Sequence, residues 1–320
     1  MHLSRLSRAF VCAVLLSAAS AVVCAQEQTT AVQTVTPTPA RVEVTLTGGK
    51  GRAVPDVKRE DIRVYVDGVE RPVVSFEKEV QPVSYGLVVD NSGSLRSEIS
   101  AVVTAAKYLV ERNRPGDEAF VVRFVSSDNI RTVQTMTADK SALGEALDRM
   151  FIEKGQTAML DALYLAGDYL SKNAARAADG KSRRALLLVS DGEDRSSFYK
   201  VEQVLKLLKE GGVQVFCVGL TGALDKEQGF ITASKRRRAK DLLMKIATQT
   251  GGRVFYAEKD GELEAAVLAV AGNMRTRYIV GYAPPEPNAK GQGKVEVKLV
   301  GAADKEKLKA EIVSPAETKP

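Results

Sequence analysis

Oxygen-bearing side chains at three separated points of the chain have the types and spacing to hold a divalent cation. Asp90, Ser92 and Ser94 form an Asp-x-Ser-x-Ser run after the apolar stretch Tyr85-Gly86-Leu87-Val88-Val89 and before a long amphipathic one. Thr157 follows in Lys154-Gly155-Gln156-Thr157. Asp191 follows in Leu187-Leu188-Val189-Ser190-Asp191-Gly192, again at the end of an apolar run. Such a run predicts a buried strand, which leaves its closing acid on the outgoing turn. In an open parallel sheet, the loops at the carboxyl ends of strands meet in one crevice. Two carboxylates and three hydroxyls converging there make an all-oxygen donor set, suited to a hard cation such as Mg²⁺. Taken singly, Ser92 and Ser94 serve equally well as helix N-caps, and Asp191-Gly192 as a plain turn.

A sheet has to carry these turns. The pattern predicts strands at Tyr85 to Asp90, Ala119 to Val125, Ile130 to Met136, Ala185 to Ser190, Val213 to Leu220 and Arg253 to Tyr256. Helical spacing links Leu95, Ile99, Val102, Ala106 and Leu109, with Pro115-Gly116 closing that helix. It returns at Met159, Leu163, Ala166 and Leu170, and at Val201, Val204, Leu205 and Leu208. Leu242, Leu243 and Ile246 mark another helix, and Leu263, Val267 and Val270 the last. Near-continuous apolar strands flanked by amphipathic helices indicate a doubly wound, mostly parallel α/β sheet. Residues 83–274, about 190 in all, are enough to hold a core of their own.

The segments on either side read differently. Residues 41–80 alternate at Val42, Val44 and Leu46, then at Ile62, Val64 and Val66, then at Val74 and Phe76. Gly48-Gly49-Lys50-Gly51 and Asp67-Gly68 supply turns. Residues 276–313 alternate at Tyr278, Val280 and Tyr282, at Val295, Val297 and Leu299, and at Leu308, Ala310 and Ile312, before a tail at 314–320. Two separate three-stranded sheets would bury little surface, so one β-sandwich built from both ends is expected, with the α/β domain inserted.

Asp90, Ser92, Ser94, Thr157 and Asp191 together resemble the metal-ion-dependent adhesion site of von Willebrand factor A domains, and the resemblance spans Val83 to Met274. More loosely, residues 41–80 resemble the module preceding the A domain in acidobacterial-type von Willebrand factor A-related proteins. The resemblance implies that the hydroxyls of Ser92, Ser94 and Thr157 touch the metal directly. Asp90 and Asp191 would act mostly through waters. It implies Mg²⁺, with Mn²⁺ or Ca²⁺ as alternatives, and a protein partner whose Glu or Asp completes the site. Neutral oxygens around the ion leave it receptive to that incoming carboxylate. Asn91, Gly93, Gln156, Gly192, Glu193 and Asp194 are expected to form the rim.

Several classes of function are excluded or disfavoured. The single histidine is His2, so residues 26–320 cannot supply a Ser-His-Asp triad, a Cys-His pair or a histidine-ligated zinc. Arg5 and Arg8 followed by the apolar Ala9 to Val23 predict a signal peptide over residues 1–25, then a Thr/Gln/Pro-rich linker over 26–40. The product is expected to be exported, periplasmic or secreted, and soluble. Bulky Val23 disfavours a lipid anchor through Cys24, and no later stretch has the apolar length of a spanning helix. Beyond the leader, 44 basic residues face 40 acidic ones; this net +4 does not signal nucleic-acid binding. The run Lys235-Arg236-Arg237-Arg238-Ala239-Lys240 is read as the solvated start of a helix. Cys217, within Val215-Phe216-Cys217-Val218, is read as a core thiol. The competing functions are a Mg²⁺-dependent phosphoryl-transfer enzyme and a metal-free structural module. Aspartate-dependent phosphatases need a second acid where Ser92 stands. Gly180-Lys181-Ser182 lacks the upstream glycine of a phosphate loop, since Ala175 occupies that position. An EF-hand fails at Leu95 and Ala101.

Overall fold

The computed structural model describes residues 38–47, 57–174, 183–226, 230–257, 261–285, 293–301 and 309–317. The expected signal peptide, most of the linker, the Gly48–Gly51 turn and Gly180-Lys181-Ser182 lie outside the described residues. The first strands are β1 (Ala40–Thr47), β2 (Ile62–Val66), β3 (Val69–Arg71) and β4 (Val73–Val80). The α/β part then runs β5 (Val83–Asp90), α1 (Ile99–Glu111), β6 (Glu118–Phe124), β7 (Ile130–Thr137), α2 (Lys140–Asp148), α3 (Met159–Asn173), β8 (Arg183–Ser190), α4 (Val201–Glu210), β9 (Val213–Gly219), α5 (Phe230–Gln249), β10 (Val254–Tyr256) and α6 (Glu262–Arg275). Three more strands follow: β11 (Thr276–Tyr282), β12 (Val295–Leu299) and β13 (Lys309–Glu317).

The expected α/β fold is present. Its six strands lie in the order β10-β9-β8-β5-β6-β7, all parallel except β7, which runs antiparallel to β6. From β5 the chain moves outward to β6 and β7, then returns to β8 on the opposite side of β5. That reversal makes β5/β8 the switch point of the sheet, where crevices open at the carboxyl ends. Every residue of β5 is buried because helices cover both faces. Tyr85, Leu87 and Val89 pack with Leu109 of α1, Leu143 of α2 and Val270 of α6. Val88 and Phe120 pack on the other face with Leu163 of α3, Leu208 of α4 and Leu243 of α5. Each fully buried leucine of this kind contributes roughly 1.5–3 kcal/mol. Gly86 lets β5 pass beneath Phe120: a Cβ there would meet the ring at 2.4 Å.

The flanking strands form two further sheets, ordered β13-β1-β11-β4 and β12-β2-β3. Strands from the two ends of the chain pair with one another: β1 with both β11 and β13, and β2 with β12. Val42, Val44, Leu46, Ile62, Val64, Val66, Tyr278, Val280 and Tyr282 share one apolar cluster. The Asp67-Gly68 turn has both residues at positive φ, 50° and 80°, as a tight hairpin with right-handed strand twist requires. It leads into β3, three residues long and absent from the sequence reading. Val74 was expected to face inward, yet it is 42% exposed. The register between β11 and β4 slips where Tyr282 meets Val73, so Val73 faces the core in place of Val74, while Phe76 faces it as expected.

Three other local details differ from expectation. Leu95 belongs to a short 3-10 turn (Gly93–Leu95), and α1 proper starts at Ile99. The basic run lies inside α5 and not at its start, because the helix already begins at Phe230. The sequence reading omitted α2, whose cap is Asp139: its Oδ1 accepts from Ser141 N at 2.8 Å and Ala142 N at 3.3 Å. Cys217 is buried as expected, and burial pushes its thiol pKa well up.

At the amino end of the sheet, a buried ionic network closes the α/β domain. Asp117 Oδ1 accepts from Val83 N at 2.9 Å, and its Oδ2 accepts from Arg114 N at 2.9 Å. Arg275, the last residue of α6, donates to the same Oδ2 from Nε at 2.8 Å and reaches it with Nη2 at 2.7 Å. Arg275 Nη2 also donates to Asn113 Oδ1 at 3.3 Å, which accepts the Tyr85 hydroxyl at 2.9 Å. Gln81 N donates to Arg275 O at 3.2 Å, so the chain enters and leaves the domain side by side.

Candidate metal centre

Asp90 ends β5 fully buried, and its two oxygens face different strands. Oδ1 accepts from Ser92 N at 2.9 Å, folding the chain into the turn that presents Ser92 and Ser94. Oδ2 accepts from the Ser190 hydroxyl, at the end of β8, at 2.8 Å. Ser190 Oγ in turn accepts from Gly192 N at 3.0 Å. Ser190 therefore ties the Asp90 turn to the Asp191 turn, a role that the sequence reading missed. Its signal was positional, since it is the last strand residue before the second acid.

The hydroxyls of Ser92 and Ser94 lie 2.9 Å apart. Asp191 Oδ1 accepts from Glu193 N at 2.9 Å, while its Oδ2 is buried without a hydrogen-bond partner. Thr157 is buried just ahead of α3. Its carbonyl accepts from Arg195 N at 2.8 Å and Ser196 N at 3.2 Å, which joins its loop to the Asp191 loop. Ala158 N donates to Val125 O at 2.8 Å, fixing the same loop to the end of β6. All five candidate ligands thus sit at the carboxyl end of the sheet, around the switch point.

The electrostatics favour an added positive charge. Burial, followed by the neighbouring charge of Asp191, pushes the Asp90 carboxyl up to about 7, against weaker opposing hydrogen bonds from Ser92 and Ser190. Burial also raises Asp191, and the hydrogen bond from Glu193 N, with the nearby Ser94 hydroxyl, partly opposes it. Buried acids without a counter-charge prefer the neutral form, and a bound cation reverses that preference. No group of three or more His, Cys, Asp or Glu side chains is arranged for a metal among the described residues. The donor set is instead two carboxylates with hydroxyls. Its oxygen chemistry and the orphaned Asp191 Oδ2 fit a hard divalent ion.

The expected rim divides in two. Gly93 and Gln156 are exposed, and Glu193 and Asp194 are half-buried. Asn91 is completely buried: its Nδ2 donates to Phe151 O at 2.6 Å, and its own carbonyl accepts from Glu153 N at 2.9 Å. Gly192 is buried too, so both residues brace the loops from below. Gly192 has φ +84°, and a Cβ there would sit 2.8 Å from Leu243 Cδ1, so the turn requires glycine. Asp194 Oδ1 points inward, accepting from Leu160 N at 3.1 Å and Ser197 Oγ at 2.6 Å. Sequence reasoning also missed two exposed aromatics in these loops, Phe151 (52% exposed) and Phe198 (81%). The main chain carrying Phe198 is fixed by buried Asp161, whose carboxylate accepts from Phe198 N at 3.0 Å and Tyr199 N at 2.8 Å.

Comparison with known proteins places this site in context. A family model described as the von Willebrand factor type A domain matches residues 86–268. Among solved structures, the chain is similar to an aerotolerance-related membrane protein from Bacteroides fragilis NCTC 9343. Identity is 18%, with 60% of this chain and 98% of that chain covered, at a TM-score of 0.46. It is also similar to BatB from Bacteroides thetaiotaomicron (17% identity, 59% and 97% covered, TM-score 0.45). A third similar structure is the pilus adhesin SpaC from Lactobacillus rhamnosus GG (14% identity, 74% and 42% covered, TM-score 0.48). No curated protein sequence matches the chain significantly.

Proposed function

From the premise that this chain belongs to the von Willebrand factor type A domain family, we propose that it is a non-enzymatic binding protein that captures a protein partner through a divalent cation. Ser92, Ser94 and Thr157 hold the ion through neutral hydroxyls, and Asp90 and Asp191 supply the negative charge that retains it. When bound, the ion offers a coordination position to a Glu or Asp of the partner. Mg²⁺ is the expected ion, with Mn²⁺ or Ca²⁺ as substitutes. One observation carries the reading: two buried carboxylates stand at the switch point, one with an unpartnered oxygen and the other followed in its turn by a pair of serine hydroxyls.

The residues themselves favour capture over catalysis. Asp90 is enclosed and hydrogen-bonded on both oxygens, which suits retention of an ion better than nucleophilic attack. Ser190 keeps the two acids in fixed relation, and Asn91 and Gly192 hold the loops from beneath. A site built this way loses little conformational freedom when the ion and partner arrive.

Isothermal calorimetry tests the reading. Mg²⁺ or Mn²⁺ should bind the intact chain, and a glutamate-containing peptide should bind only with the metal present, with EDTA reversing both. Absence of divalent binding even with the peptide supplied overturns the cation site and leaves the five residues as capping groups.

The same reading includes export, with strands of residues 41–80 and 276–313 forming one β module into which the A domain is inserted. Pairing of β1 with β11 and β13, and of β2 with β12, supports the single module. No helix among the described residues is long and apolar enough to cross a membrane. Intact mass of the exported form should give a chain starting near Gln26. A diacylated chain starting at Cys24 would replace the soluble form with a lipid-anchored one.

A further inference from the structure

A cavity of 330 Å³ lies between the loop after Asp191 and α5. Arg195 lines it from the loop, and Lys235 and Arg238 line it from the helix. Lys235 and Arg238 are three residues apart, so they stand on one face of α5. Ala239 and Leu242 add an apolar surface. Two acids also stand on its wall. Glu193 pairs with Arg195, and Asp194 Oδ1 turns inward to Leu160 N and Ser197 Oγ. The basic run stays solvated as expected, with Arg237 and Arg238 exposed, and its Lys235 and Arg238 also line a concave pocket.

The loop forming one wall of this cavity begins at Gly192, the residue after Asp191. Resting on the cation-site reading above, we propose that the cavity is a second acidic-residue subsite. The partner segment it fits carries two carboxylates, one for the cation and one for the wall formed by Lys235 and Arg238, since Glu193 already offsets the charge of Arg195. The apolar surface of Ala239 and Leu242 receives the methylenes of a glutamate, a match that a bare phosphate lacks. A chain whose net charge beyond the leader is only +4 also lacks the broad basic field that binds nucleic acid. Two acidic anchors on one segment make the second contact effectively intramolecular, which raises affinity without a larger interface.

The test uses fluorescent peptides carrying either one glutamate or two at varied spacing, measured against the intact chain in millimolar Mg²⁺. At the best spacing, the two-glutamate peptide should bind about tenfold tighter than the one-glutamate peptide, and this advantage should shrink with added salt. The double substitution Lys235→Gln with Arg238→Gln should bring both peptides to the same affinity, with circular dichroism and melting checked against the parent. Equal affinities in the parent, or an advantage that survives the double substitution, overturn the subsite. Efficient displacement by a single-stranded oligonucleotide would overturn the peptide assignment. Calorimetry with Mg²⁺ alone judges the cation site separately. If that site fails, salt-sensitive binding of the one-glutamate peptide that persists in EDTA and disappears in the double variant still marks the cavity, and its absence overturns it.

Discussion

Asp90→Ala should remove divalent capture, and with it metal-dependent partner binding, while leaving the protein folded. Thr157→Ala and Asp191→Ala should do the same. Each residue lies at the carboxyl end of the sheet, where losing one turn hydrogen bond costs on the order of 1 kcal/mol, and Asp90 loses two. Against this, removing one of two mutually repelling buried carboxylates relieves a burial cost that keeps Asp90 near 7. Loss of a coordinating element weakens metal capture by roughly 10–100-fold, the scale found even for groups that only orient the ligands. Asp90→Asn is the sharper variant, since it keeps the shape and the acceptor for Ser92 N and removes the charge, at the cost of the acceptor for the Ser190 hydroxyl. Calorimetry with Mn²⁺ and thermal melting, run in parallel, decide the matter. Capture that survives both Asp90 substitutions rules out the proposed ligand set. Metal-dependent hydrolysis of a phosphate ester, abolished by Asp90→Ala, would favour an enzyme instead.

At the opposite end of the sheet, Arg275→Ala should cost about 3–5 kcal/mol of stability, the scale for stripping one partner from a buried ion pair. Asp117 is 1% exposed and Arg275 4%, so solvent cannot replace the lost guanidinium. The variant also deprives Asn113 Oδ1 of one donor, although Tyr85 still reaches it. Replacing both charges, with Asp117→Asn and Arg275→Met, should recover part of the loss by leaving no buried charge alone. Urea denaturation reads both variants through the shift of the midpoint at constant slope. A single-variant loss below about 1 kcal/mol would mean that the network is solvated and contributes little. Divalent binding should persist in Arg275→Ala below the unfolding transition, because eight residues of β5, roughly 26 Å of extended chain, separate this network from the site.

Local chemistry made the acids legible in sequence, and longer-range chemistry hid most of their supports. Asp90 and Asp191 each close an apolar run, and an apolar run buried on both faces reads as a central strand without any alignment. Once those runs are adjacent parallel strands, the two turns have to meet. Ser190 was overlooked because its function depends on a partner 100 residues away. Asp117 and Arg275 are 158 residues apart, and neither carries a local pattern that marks it as buried. Asn91 and Gly192 looked like rim residues because turn composition suggests exposure, yet their loops fold down over the sheet. Val74 of β4 was misread for another reason. A register slip rotates side chains between faces, and period-two alternation cannot reveal where it falls. The aromatics at 151 and 198 stand out only once burial is known, since an isolated phenylalanine in sequence normally means core.

Because Gln81 and Arg275 leave the α/β domain hydrogen-bonded side by side, the domain hangs from the β strands by two neighbouring tethers. If the proposed cation site holds a partner, a pull on it would load β5 along its length and reach both tethers at once. β4 and β11 are already antiparallel neighbours there, with Val80 opposite Thr276. The pull therefore draws their adjacent ends in the same direction, and the bonds between these two strands are not sheared against each other. Tension on the α/β domain would thus be carried by two covalent connections in parallel, without first unravelling the joint between β4 and β11.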